Sequence, residues 1–99
     1  MPLMEISVVP VGTGTASFSS HVTEAVQTIE RSGLPYQVTP TATVIEGSVD
    51  DLLQVASAIH QTALTHGTER VITHMTIDHR IDKPTNLIQP AETVHDSLQ

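Results

Sequence analysis

Along this chain the apolar spacing switches twice from every second residue to every third or fourth, and each time it switches back. Few folds accommodate that order. Met4, Ile6 and Val8 alternate through residues 4–11 and predict a first strand, with Pro10 near its end, where a missing N–H is tolerated. A small-residue loop, Gly12-Thr13-Gly14-Thr15-Ala16-Ser17, follows. From about Ser20, Val22, Ala25, Val26 and Ile29 recur at helical spacing, and Ser32-Gly33 before Pro35 stops the helix. Residues 36–39 and 41–46 read as two short strands around Pro40, or as one strand bent there. Ser48 with Asp51 three residues on resembles a capping box, Asp standing for the usual Glu. It opens a second helix whose predicted buried stripe is Leu52, Leu53, Ala56, Ile59, His60, Ala63 and Leu64, with His66-Gly67 at its end. Arg70 to about Ile81 predicts a long last strand, with Val71, Thr73, Met75 and Ile77 on one face and Ile72, His74, Thr76 and Asp78 on the other. The rest is polar, with a short helix expected around residues 91–98.

The order β-α-β-β-α-β predicts an α+β, ferredoxin-like sandwich: one antiparallel four-stranded sheet with two helices on one face. Right-handed crossovers set the first and third strands at the centre, read here as parallel, with the fourth beside the first. The expectation is one domain over residues 1–99, with a core over about 4–84 and a polar C-terminal tail over 85–99. One sheet face is left without helices, and Val9, Val11 and Ile72 lie on it or near it. A chain of 99 residues is too short to fold back over that surface. A contiguous apolar patch usually marks an interface, so self-association is expected.

Composition removes several functions. There is no cysteine, hence no disulfide, thiolate metal site or thiol nucleophile. Eleven acidic residues against four basic ones give a net charge of −7, the wrong sign for a nucleic-acid or anionic-membrane partner. The N-terminus lacks the basic and apolar regions of a signal peptide, and no run approaches the roughly 20 apolar residues of a membrane span; a cytoplasmic protein is expected. Gly12-Thr13-Gly14 lacks the third glycine of a dinucleotide fingerprint, since position 17 is Ser, and no P-loop lysine follows.

The six histidines do not fall at the short spacings that metal ligands on one element use, so neither metal nor cofactor is expected. His60, inside an apolar stripe, reads as a packed histidine. Glu46, Asp78 and Asp82 cluster near strand ends, with Arg80 and Lys83 as neighbours. Thr43 and Thr73 fall on the strands that flank the first. If both point to the helix side, their hydroxyls need partners there, and a small polar heterocycle in a pocket would supply them.

Glu5-Ile6-Ser7-Val8-Val9-Pro10-Val11-Gly12-Thr13-Gly14, then Ser17-Phe18-Ser19, resembles the opening of the thiamine-binding-protein family, the single-domain YkoF-like members. Tyr36-Gln37-Val38-Thr39-Pro40 and Thr43-Val44-Ile45-Glu46-Gly47 continue the likeness, as do Arg70-Val71-Ile72-Thr73 and the run from Ile77 to Lys83. The chain departs from the pattern at Thr41-Ala42, where a Met-Gly type pair is expected, and at His79, where a second acidic residue is common. The resemblance implies a ferredoxin-like domain assembled as dimers, often dimers of dimers, that binds thiamine or its hydroxymethylpyrimidine moiety without catalysis.

An aminopyrimidine offers a donor amino group beside ring acceptors, which suits a carboxylate paired with hydroxyls. Glu46 with Thr43 and Thr73 is therefore the candidate set, Phe18 is placed to pack on the ring, and Thr13, Ser19 and Thr41 complete it. The alternatives are a small oligomeric enzyme acting on a heterocyclic or dicarbonyl substrate, and a structural or regulatory oligomer with no ligand.

Overall fold

The alternation along Met4, Ile6 and Val8 resolves into the strand on which the molecule is built. In the structure, a computed structural model, residues 1–11, 18–64 and 68–83 are described. Within them run β1 (Leu3–Pro10), α1 (Phe18–Ser32), β2 (Tyr36–Val38), β3 (Thr43–Glu46), α2 (Val49–Leu64) and β4 (Val71–Asp78). The four strands form one sheet in the order β2-β3-β1-β4. The expected C-terminal helix, the His66-Gly67 helix end and the tail fall outside the described residues.

Every neighbouring pair of strands is antiparallel, which corrects the expectation that β1 and β3 run parallel. The α1 crossover leaves β1 and β2 pointing the same way. The β2–β3 hairpin then reverses the chain, so β3, inserted between them, opposes both. The α+β sandwich stands as expected.

The core forms where the sheet meets the helices: Met4, Ile6 and Ile45 from the strands, Ile29 from α1, and Leu52, Val55, Ala56 and Ile59 from α2. The α2 stripe differs from the predicted one. Val55 is buried, whereas Leu53 is 42% exposed and Leu64 37% exposed. A helix advances 3.6 residues per turn, so 52, 55, 56, 59 and 63 form one face and Leu53 falls beside it.

The helix ends follow the sequence signals. The Asp51 N–H donates to Ser48 Oγ at 3.1 Å, and Asp50 and Asp51 place negative charge on the positive end of the helix. At the C-terminus of α1, Gly33 takes φ +76° and its N–H donates to the Glu30 carbonyl at 3.1 Å. β4 is shorter than expected because β1 offers it partners only from Leu3 to Pro10.

Candidate functional site

β1 is paired unequally along its two edges. β4 follows it from Leu3 to Pro10, but β3 follows it only from Leu3 to Ile6, ending at the pair Ile6↔Thr43. Beyond that pair the β2–β3 connection, Thr39-Pro40-Thr41-Ala42, swings away. A cavity of about 340 Å³ opens between this turn, the outer half of β1 and α1, a volume in the range of small-molecule sites.

Ile6, Val8, Val22, Ala25, Ile29 and Ile59 supply apolar walls, and the turn and β3 bring Thr39, Thr41 and Thr43. Ser7 and Val9, whose side chains belong to the helix-free face, also line the cavity. The space therefore reaches the exposed edge of the strand itself.

The turn is held in shape by Thr39. Its N–H and its hydroxyl both donate to the Ala42 carbonyl, at 2.8 and 2.7 Å. The Ala42 N–H donates back to Thr39 Oγ1 at 3.1 Å. This side-chain clamp ends the ladder where the cavity begins.

The structure divides the residues predicted for the site. Thr41 and Thr43 line the cavity. Thr43 stands opposite the buried Ile6, on the helix-covered face. Glu46 is brought neither to the cavity nor to that face: it ends β3 opposite Leu3, on the helix-free side. Thr73 does lie on the covered face, opposite Val8, but its hydroxyl is hydrogen-bonded to His60 Nδ1 at 2.7 Å. The set Glu46–Thr43–Thr73 thus does not converge.

Phe18 and Ser19 belong to the first turn of α1, and Thr13 lies outside the described residues. Sequence reasoning missed Thr39 and Val8. Their signals were Thr39-Pro40, a side-chain-closed turn, and Pro10, a strand proline that marks an unpaired edge.

Among the described residues, no charged side chain lines the cavity. The Tyr36 hydroxyl donates to Glu30 Oε1 at 2.8 Å, and the neighbouring carboxylate raises the phenol's pKa above its ordinary 10.0. Arg80 grips Asp82 through two bonds of 3.1 and 2.7 Å and holds that carboxyl below its usual value. Among the described residues no group of three His, Asp or Glu side chains is placed to hold a metal ion, and no helix is long and apolar enough to cross a membrane.

Fold and cavity together define a class: a ferredoxin-like α+β domain with a cavity of small-molecule size in the seam between its central strand and a hairpin turn. The family follows from comparison. A family model described as thiamine-binding protein matches residues 4–95, and the chain belongs to that family. UPF0045 protein YqgV of Bacillus subtilis (strain 168) is 37% identical over 103 residues, covering 100% of this chain and 99% of the relative. The crystal structure of the hypothetical protein MJ1052 from Methanocaldococcus jannaschii superposes with a TM-score of 0.86 at 29% identity, covering 95% of both chains. A Thermotoga maritima protein described as a candidate for thiamine biosynthesis or salvage shares the fold, with a TM-score of 0.78 at 18% identity over 93% of this chain and 97% of that one.

Proposed function

We propose that this protein is a non-catalytic, cytoplasmic binding protein for thiamine or its hydroxymethylpyrimidine moiety, serving to buffer, deliver or sense it. The observation that carries this reading is the seam cavity. Its apolar walls suit the faces of a flat ring, and the hydroxyls of Thr41 and Thr43 suit the polar rim of a heterocycle. Membership in a thiamine-binding family supports an aminopyrimidine as that heterocycle. The −7 net charge favours approach of the thiazolium cation at long range.

The same reading includes a homo-oligomer, a dimer or a dimer of dimers. Val9 and Ile72 face each other in register on the helix-free side and are 42% and 38% exposed. A second copy packed on that face would remove them from water.

Calorimetric titration with thiamine and with hydroxymethylpyrimidine tests the function. Saturable binding with the ligand recovered unchanged is expected. Absence of heat and of any shift in melting temperature for both compounds overturns it, and turnover of a bound compound would favour an enzyme.

A further inference from the structure

From the unequal pairing of β1 we infer that the ligand is recognised by the backbone of Val8, whose N–H and C=O act as a donor–acceptor pair for the amino edge of the pyrimidine. This rests on the proposed function and specifies how that ligand is read.

The direction of the Val8 amide follows from the ladder. In a central antiparallel strand, successive residues send their N–H and C=O alternately to one neighbour and then the other. The Val11 N–H donates to the Arg70 carbonyl at 2.9 Å, on the β4 side. The Gly47 N–H donates to the Pro2 carbonyl at 3.2 Å, on the β3 side. Odd-numbered residues of β1 therefore bond toward β4 and even-numbered ones toward β3. Met4 and Ile6 meet Ile45 and Thr43 there.

Val8 comes next. In a continued ladder Thr41 would stand opposite it, but the Thr39 clamp has already turned the chain away. Val8 lines the cavity, and both of its backbone polar groups are aimed across the gap. Pro10, the following residue directed to that side, has no N–H to offer. The unpaired edge thus presents one complete amide pair, beside the hydroxyl-bearing Thr41 and Thr43.

That pair has a specific complement. A backbone N–H and C=O from one residue match a ring nitrogen acceptor adjacent to an exocyclic amino donor, as a further strand would match them. A 4-aminopyrimidine carries this arrangement on one edge. The ligand, on this view, occupies the position that a longer β3 would have taken. The Val8 and Ile6 side chains and α1 then form its apolar surroundings.

The test is a nuclear magnetic resonance titration of the ¹⁵N-labelled full chain with 4-amino-5-hydroxymethyl-2-methylpyrimidine. At saturation the Val8 amide proton is expected to move downfield and to exchange more slowly with solvent. The Ser7 and Val9 amides, already bonded toward β4, gain no comparable protection. In parallel, the same pyrimidine with hydrogen in place of the amino group is expected to bind about tenfold more weakly. Saturable binding with the Val8 amide unprotected, or with both pyrimidines bound equally, overturns this inference and leaves the proposed function standing. Absence of binding by either the pyrimidine or thiamine overturns both.

Discussion

His60 Nδ1 and Thr73 Oγ1 lie 2.7 Å apart, joining the C-terminal half of α2 to the first half of β4 across the partly buried layer between helix and sheet. The pair explains why a histidine occupies the edge of an otherwise apolar helix face, and it commits the Thr73 hydroxyl to the fold. Thr73→Val keeps the shape and removes the bond, leaving a partly buried ring nitrogen without that partner. A loss of about 1–2 kcal/mol is expected in urea denaturation, with the affinity for hydroxymethylpyrimidine unchanged. A large fall in affinity at unchanged stability would return Thr73 to the binding site.

Thr43 and Glu46 lie three residues apart on the same strand, on opposite faces of the sheet. Thr43→Val is expected to weaken pyrimidine binding by about tenfold, the loss of one hydrogen bond, whereas Glu46→Gln leaves it as it was. Calorimetry on the two variants decides between them, and the reverse result would place the ligand on the helix-free face.

Tyr36 is the single tyrosine of a chain without tryptophan, so its phenolate absorbance titrates one group. Its midpoint is expected above 10.0, because the bond to Glu30 and that residue's negative charge both oppose ionisation. Glu30→Gln moves the midpoint back toward the ordinary value. The sign for stability follows: a pKa raised by folding means the bond contributes fully below the unfolded value, and the contribution is lost as pH rises through the folded one.

Ile72→Asp puts a charge beside Val9 on the helix-free face. Light scattering is expected to give a multiple of 10.6 kDa for the unaltered protein and the single-chain mass for the variant. A wild-type mass of one chain would refute the oligomer.

Ser48 accepts the Asp51 N–H at the start of α2. Ser48→Ala is expected to lower stability by about 1 kcal/mol through the orphaned helix donor. Thermal melts followed by far-ultraviolet circular dichroism read the change.

Much of the fold was legible because local interactions write it. The period along Met4, Ile6 and Val8, the glycine after Ser32 and the Ser48–Asp51 cap act within a few residues of one another, and each is where its motif indicates. The direction of β3 was misread because it depends on counting reversals through a hairpin, a property of the path and not of any residue. Val55 was passed over in favour of Leu53 because size and hydropathy do not report the angle at which a side chain leaves a helix.

The sequence alone determined the element order, the α+β sandwich, the absence of thiol chemistry and the likeness to thiamine-binding proteins. Tertiary structure alone decided which of the candidate residues share the cavity. Glu46, Thr43 and Thr73 are equally plausible as letters. Pairing sends Glu46 to the other face, His60 occupies the Thr73 hydroxyl, and only Thr43 remains beside the cavity. The cavity itself comes from a ladder that stops at Ile6↔Thr43 while β1 continues to Pro10. A strand's sequence fixes which residues alternate, but the length of its pairing on each edge is set by where its neighbours turn away.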